Sequence, residues 1–528
     1  MSTLLGYKWL SEHTGMVPVQ PFTIQSELGT TRRTVVNGAT RQETYPAARL
    51  APTIPAHLTF AFKHEIVHLE FLAILFNALD PIVLEDWIRS EPTGAYARRS
   101  GFFFEWLTGK ILNVPDTPSG NYVAALDPGT YLVATRAENV PRWRVRDNLP
   151  GSREFCPLIV RSETVQQLEK YDCAKALHDL EREFGADVLL RSAVWLTVKE
   201  SRASFAIEKE EGKIERVRRF AVAMEQRCGQ DADPLSVQSL DALQRAILGP
   251  ATRYGMRQSP VFVGHTSNYI DVVDYIGPHW DHTRNLLGGL QSSMRKTAGA
   301  SSVLRAAIAS FGFVFIHPMA DGNGRISRFL VNDVLRRDGA LPAPFILPIS
   351  ATITDSTRER VGYERALEHF SRPLMHKYAE RYSFGAEYAC DDGVRTNFRF
   401  DAYDDALPAW RYPDLTYQAQ YLGHVIRLTI ENGMSKEATF LRDMDRAREA
   451  VKNHLEGPNS DIDQIIRSVR LNHWVISNKL ARAFPQLAEP AMAAAVIGAV
   501  RDALGGAAGA PEAPEAPEEE ATDGNSRH

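Results

Sequence analysis

Apolar residues recur along most of this chain at three- and four-residue spacing, the period of an α-helix. Phe60, Phe62, Ile66, Leu69, Phe71, Leu72 and Leu75 suit a packed helix, within a helical stretch from about His57 to Leu112 that includes Phe102-Phe-Phe-Glu-Trp-Leu. Helical periodicity resumes near Ser162 and continues to about Leu248, and residues 376–504 read as mainly helical. Ile326, Phe329, Leu330 and Val334 predict a helix with one apolar face. Val261, Phe262 and Val263 break the pattern: they have strand character, and Pro260 and Gly264 bracket them. Up to about Arg49 the chain is rich in Thr, Pro and Arg and predicts loops with short strands, while Pro115, Pro118, Gly120, Pro128, Pro141, Pro150 and Gly151 mark a second loop-rich section. From Gly505 the chain repeats Ala-Pro-Glu and turns acidic, which predicts a disordered tail with too little apolar surface to order itself.

Composition narrows the class. The chain has 528 residues, 44% hydrophobic and 24% charged, with a net charge of −5. That length can support more than one core. A slightly negative balance argues against nucleic acid as the main partner. Cys156, Cys173, Cys228 and Cys390 share no framework spacing, which argues against a disulfide-built secreted fold. The N-terminus lacks a signal-length apolar region, and the stretch from Val67 to Leu79 is too short to span a bilayer. The expectation is a cytoplasmic enzyme with no membrane partner.

The densest chemistry lies in His317-Pro-Met-Ala-Asp-Gly-Asn-Gly-Arg-Ile-Ser-Arg328. An imidazole titrates near neutral pH and can take a proton from a hydroxyl. Gly322 and Gly324 flank Asn323, so the backbone can turn sharply and gather N–H groups into a nest for phosphate oxygens. Asp321 offers Mg²⁺ a hard oxygen ligand. Arg325 and Arg328 fall in the expected first helical turn, where two exposed cations oppose the macrodipole at about 0.3–1 kcal/mol each. A bound anion would reverse that sign. Taken alone, Asp-Gly-Asn-Gly is an ordinary turn and helix cap; the histidine before it and the arginines after it favour the nucleotide site.

This run resembles the signature of the Fic (Fido-fold) family, HPFx[D/E]GNGRxxR, with Met319 where phenylalanine is usual. The resemblance implies a mainly α fold with a Fic-type helical core, a short β-hairpin flap and largely helical flanking domains. It implies transfer of AMP from ATP to a protein hydroxyl, with His317 as general base, Asp321 as the Mg²⁺ ligand, Gly322, Asn323 and Gly324 as the phosphate nest, and Arg325 and Arg328 holding the triphosphate. The implied partner is a protein carrying a Ser, Thr or Tyr hydroxyl, the chain itself included, and self-association is compatible with it. Ser204-Phe-Ala-Ile-Glu208 resembles the family's inhibitory motif, in which the glutamate pairs with the second arginine; Lys209 departs from the usual glycine or asparagine. Val261, Phe262 and Val263 resemble the flap whose edge pairs with the target's backbone. The organisation expected is an N-terminal domain over 1–195, a core over 196–375, a helical domain over 376–504 and the tail over 505–528.

Two other readings compete. His64-Glu-Ile-Val-His68 spells HExxH, a zinc-protease pattern that needs both histidines on one helix face, but Glu70 is charged where an apolar residue is wanted and Glu85 is the one third-ligand candidate. The segment Asp461 to Leu487 pairs amphipathic stretches around Ile462 and Val475 that would suit a helix–turn–helix, the basis for a DNA-binding regulatory protein with little catalysis. His265, His279 and His282 fit no metal template and are expected to be surface or packing residues.

Overall fold

The computed structural model describes residues 4–38, 40–46, 50–208, 214–250, 253–267 and 270–504. The acidic tail and Lys209 lie outside the described residues. Among the described residues helices dominate, with four small sheets. Contacts gather the described chain into two compact units: one takes the chain to Ala176 together with Ala193–Ile430, the other Leu177–Ser192 with the chain from Glu431.

The centre of the first unit is helix Ser302–Ile316, whose sequence SVLRAAIASFGFVFI is apolar nearly all the way round and buried at almost every position. Ala306, Ala307, Ala309 and Gly312 keep its surface small, so neighbours approach closely. At Gly312 a Cβ would meet Leu290 Cδ1 at 2.9 Å and Phe155 Cζ at 3.0 Å. Helices Trp280–Lys296, Asn323–Arg337 and Thr416–Leu428 pack around it. The expected single apolar face of helix Asn323–Arg337 is exceeded: besides Ile326, Phe329, Leu330 and Val334, the polar Asn323, Arg325, Ser327, Arg328, Asn332 and Asp333 are buried. That pattern is informative, because buried polar groups must be paired.

The N-terminal region holds more order than its composition suggested. Helix Gly6–Thr14 follows the first strand of a sheet in which Leu4–Leu5, Ile24–Gly29, Thr40–Pro46 and Arg33–Asn37 lie in that spatial order. Ile24–Gly29 runs parallel to Thr40–Pro46, with Ile24 opposite Arg41. The apolar stretch that followed forms two helices, Ile54–His64 and Leu69–Ala78, rather than one continuous helix. The break follows from two interactions. Glu65 leaves the helix to accept the Tyr7 N–H at 2.8 Å, and the His68 Nδ1 accepts the Phe71 N–H at 3.1 Å as the next N-cap. The HExxH histidines therefore sit on different helices, and His64 packs among Tyr45 and Phe60. Among the described residues, no group of three His, Cys, Asp or Glu side chains gathers for a metal ion.

The stretch after the core contains a hairpin that helical periodicity did not predict, Tyr382–Ala389 paired with Arg395–Phe400. Its aromatic residues Tyr382, Phe384 and Phe398 pack on one another, the behaviour of cross-strand pairs. The second unit is a small bundle. Helices Ser435–Lys452, Asn459–Leu471 and Pro490–Leu504 bury Val451, Ile462, Ile465, Ile466, Val469, Val496 and Val500 together. Arg191 pairs with Asp445 within that unit, and Arg448 with Asp445 and Asp463. The stretches considered for helix–turn–helix geometry send Ile462 and Leu480 into this core, while Val475 is exposed. No described helix is long and apolar enough to cross a membrane.

Leu330 is fully buried between the central helices, so Leu330→Ala is expected to destabilise the first unit by about 2–5 kcal/mol in urea unfolding. Ile111→Ala, at a position 81% exposed, is expected to stay within about 0.5 kcal/mol of the parent.

Candidate functional site

His317 ends helix Ser302–Ile316 as its C-cap, with φ 49° and ψ 54°. The left-handed region is uncommon for a residue with a Cβ and requires support from the surroundings. The His317 N–H reaches Phe313 O at 2.9 Å, and the ring Nδ1 lies 3.3 Å from Val314 O. A carbonyl oxygen only accepts, so Nδ1 carries the ring proton and the Nε2 lone pair is left to accept another. Burial first, and the Arg257 guanidinium second, bring the His317 pKa down to about 4. The imidazole is therefore neutral near pH 7.

The loop that follows is pinned from two directions. The Asn323 side chain accepts the Met319 N–H at 2.9 Å and donates to Met319 O at 2.8 Å, closing the turn on itself. Met319 is buried and bridges to Met256. From outside the turn, the buried Gln244 donates to Asp321 O at 2.8 Å and accepts the Gly255 N–H at 2.7 Å, while the Ala320 N–H reaches Gly255 O. Gly322 is the N-cap of helix Asn323–Arg337 with φ 78°, a conformation that favours glycine. Beyond it the first N–H groups of the helix have no intrahelical partner, the usual basis of an anion site.

Two buried arginines stand at this helix head. Arg325 and Arg328 are only 3% and 5% exposed. Arg328 belongs to the second helical turn rather than the expected first. Its Nε donates to Ser204 Oγ at 2.7 Å and a terminal nitrogen donates to Ser204 O at 2.9 Å and Glu208 Oε1 at 2.7 Å. Glu208 Oε2 lies 2.6 Å from Arg325 Nε, and the Arg325 guanidinium sits 4.8 Å from the centre of the Phe205 ring. A single carboxylate thus serves both cations. Burial is the largest single influence and lowers the Arg328 pKa, but the Glu208 charge and hydrogen bond together with Tyr363 and Glu200 outweigh it, and the net direction is upward. The arrangement also accounts for Gly324, where a Cβ would lie 2.5 Å from Glu208 Oε1.

Helix Ala186–Ile207 delivers Ser204 and, just past its end, Glu208. Glu200, one turn before Ser204, is fully buried and accepts both the Ser350 N–H at 2.7 Å and the Ser350 Oγ–H at 2.6 Å. Burial pushes the Glu200 carboxyl up to about 7. Sequence reasoning did not single out Glu200, Gln244, Arg257 or Ser350. The one available signal was the four-residue spacing of Glu200, Ser204 and Glu208, which shares a helix face.

The strand segment forms a hairpin, Phe262–Ser267 antiparallel to Ile270–Ile276, with Phe262 opposite Ile276 and Val263 opposite Tyr275. Val261 lies just before the first strand, and its carbonyl accepts the Gly277 N–H at 3.1 Å. Phe262 and Val263 are exposed, and the Phe262 ring also packs against Phe384 and Phe398 of the second hairpin. His265 pairs with Asp274, His279 stacks on Trp280, and His282 faces Asp404.

Residues 234–335 match the model of the Fic/DOC family. The chain is 28% identical over 132 residues to the protein adenylyltransferase fic-1 of Caenorhabditis elegans, and 29% identical over 120 residues to that of Caenorhabditis briggsae. These matches cover 23% and 22% of this chain and 22% of each relative, so the chain spans about a fifth of the length of the curated relatives it matches. Among solved structures, a Fic family protein from Desulfovibrio desulfuricans G20 has 19% identity and a TM-score of 0.32, covering 56% of this chain and 87% of that one. A Fic domain containing signaling protein from Bacteroides thetaiotaomicron VPI-5482 has 19% identity and a TM-score of 0.31, covering 50% of this chain and 98% of that one.

Replacing Glu208 by glutamine removes the charge shared by two buried guanidinium groups. The expected loss is about 1–3 kcal/mol, below the ~3–5 kcal/mol of fully buried pairs because the Glu208 side chain is 23% exposed. Millimolar tripolyphosphate should return the thermal midpoint of Glu208→Gln toward the parent value by occupying the same anion site.

Proposed function

Given that residues 234–335 form a Fic/DOC-family domain, we propose that this chain transfers AMP from ATP to a protein hydroxyl and that Glu208 restrains it from within. The observation that carries this reading is the shared carboxylate. Glu208 spans Arg325 and Arg328 at the head of a helix whose first N–H groups point outward, so an anion already occupies a position suited to a terminal phosphate. The names of the fic-1 relatives agree with adenylyl transfer.

In this reading the Gly322–Gly324 backbone cradles phosphate oxygens, and Arg325 and Arg328 hold the triphosphate once Glu208 has moved aside. His317 Nε2 takes the proton of a Ser, Thr or Tyr hydroxyl on the target. The hydroxyl oxygen forms a bond to the α-phosphorus of ATP, and the bond from that phosphorus to the β-phosphate bridge breaks, releasing pyrophosphate. The imidazole is neutral near pH 7 and so has a lone pair ready to accept the proton, while burial and Arg257 lower its basicity. The hairpin edge that starts after Val261, with Phe262 and Val263 exposed, offers main-chain pairing to an extended target segment.

Mg²⁺ fits the residues present. Asp321 uses Oδ1 to accept the Gly322 N–H at 2.6 Å, and its side chain is 38% exposed, leaving carboxylate lone pairs open to a cation whose other ligands are phosphate and water. When bound there, the ion would offset phosphate charge. The four free cysteines suit a reducing compartment such as the cytoplasm.

Intact-mass spectrometry after incubation with Mg·ATP tests the reading directly, since transfer adds one AMP moiety to the chain or to a target. His317→Ala is expected to reduce transfer by about 10²–10⁴-fold while ATP affinity by calorimetry stays near the parent value. Near-parent transfer at saturating ATP would remove His317 as base. Arg328→Ala is expected to weaken ATP binding, and unchanged affinity would remove that role.

Glu208→Gly is expected to raise both self-modification and target modification under identical Mg·ATP. Equal rates in the two proteins would remove internal inhibition and leave Glu208 as a structural partner of the arginines.

A further inference from the structure

Arg257 is a nearly buried cation, 4% exposed, whose side-chain hydrogen bonds go to main-chain carbonyls. Its Nε donates to His317 O at 2.7 Å, one terminal nitrogen to Ser259 O at 3.0 Å and the other to Pro278 O. Its backbone N–H donates to Pro318 O at 3.0 Å. Among the described residues no carboxylate lies at ion-pair distance from it. Burying a guanidinium without a counter-ion is costly, and burial lowers its pKa to about 10. Apolar packing would fill the same volume without that cost, so the fork's geometry is the feature that needs explaining.

The three acceptors locate the explanation. Ser259 stands just before the hairpin and Pro278 just after it, so two donors hold the two feet of Phe262–Ser267 and Ile270–Ile276. The third holds the carbonyl of His317, the residue kept at positive φ. These groups are in close contact: a Cβ on Gly277 would lie 2.7 Å from Val261 Cγ1, 3.3 Å from an Arg257 nitrogen and 3.7 Å from His317 Cβ. Asp392, in the turn of the second hairpin, fixes the first foot further by accepting the Ser259 hydroxyl at 2.8 Å and the Gln258 N–H at 3.2 Å.

We propose that Arg257 is a positioning residue that fixes His317 through its main-chain carbonyl and joins it to both feet of the hairpin, so that the proton acceptor and the target-docking edge share one rigid frame. This rests on the reading of His317 as base and of the hairpin as docking edge given above. A planar fork can bind three carbonyls in fixed directions; an ammonium offers one point charge and cannot hold the same three. Misplacing a reacting group by about 1 Å costs on the order of 10²-fold in rate. The titratable groups facing this frame are Arg257 itself, Tyr275 on the hairpin, Tyr403 on helix Tyr403–Arg411, and Asp392. Of these, Arg257 is the one acting on the His317 ring by charge, so its removal is expected to raise the His317 pKa.

The test uses the full chain in a Glu208→Gly background, with Arg257→Lys and Arg257→Gln compared by AMP transfer from pH 3 to 9, a range that includes the His317 midpoint of about 4. Alongside, the His317 ring is titrated by ¹³C-histidine NMR, its resonance assigned by its loss in His317→Ala. Both variants are expected to lower kcat on the order of 10²-fold and leave the KM for ATP within about twofold, because the phosphate-binding groups lie beyond the loop. Arg257→Gln should also move the acid limb of the pH profile and the NMR midpoint upward, whereas Arg257→Lys keeps its charge and should leave both in place.

Parent-like kcat in both variants overturns the proposal. So does a loss of thermal stability in which the folded fraction keeps parent kcat and an unmoved acid limb, the signature of a purely structural arginine. If the Glu208→Gly parent transfers no AMP, the functional reading fails, and the NMR midpoint still decides whether Arg257 acts on His317. Should Arg257→Gln not fold, the kcat and KM of Arg257→Lys decide the outcome.

Discussion

One carboxylate between two buried arginines governs the organisation of the candidate site. Placing Arg325 and Arg328 inside a protein is tolerable because Glu208 gives each an oxygen, and because Ser204 and Phe205 supply a hydroxyl, a carbonyl and a ring face around the same groups. The glycine at 324 follows from it, since the carboxylate lies where a Cβ would stand. The seating of helix Ala186–Ile207 follows as well, because Glu200 locks that helix to Ser350 and sets the reach of Glu208. An interaction of this kind can be exchanged: any anion with the right spacing satisfies the same cations, and the competition between a tethered carboxylate and a free polyphosphate is then decided by concentration and strain.

The second constraint is backbone conformation. His317 and Gly322 both adopt positive φ, at the two ends of a turn that connects two buried helices. The glycine does so at little cost; the histidine does so because Arg257 and the pairing with Phe313 and Val314 hold it. Asn323 and Gln244 close the turn from inside and outside. Few degrees of freedom remain between the imidazole and the helix head, which suits the pre-organised proton transfer proposed for His317.

The hairpin before this turn is more than a cover. Its feet share Arg257 with His317, and Phe262 at its start packs on the aromatic residues of the second hairpin. That second hairpin gives the proposed docking edge an aromatic neighbour, through side chains from outside the family-matched residues 234–335.

Much of this was legible in the order of residues alone. Helical periodicity, the glycine turn and the run from His317 to Arg328 are local properties: each depends on residues within a few positions, whose spacing directly sets which side chains share a face or bend the chain. The likeness of Ser204 and Glu208 to an inhibitory motif was legible for the same reason. Apart from the pairing of Glu208 with Arg328 that this likeness implied, what lay beyond reach was long-range pairing. HExxH reads as one helix until Tyr7, far earlier in the chain, draws Glu65 out of it. The hairpin at Tyr382–Phe400 is held by aromatic contacts that periodicity does not encode, and Arg257 looks like any surface arginine until three carbonyls from separate segments converge on it. The sequence by itself determined which groups could act, because chemistry belongs to residue types and local spacing. The tertiary structure decided which of them are buried, charged and paired, because burial and partnership are properties of segments distant in the chain that only folding brings together.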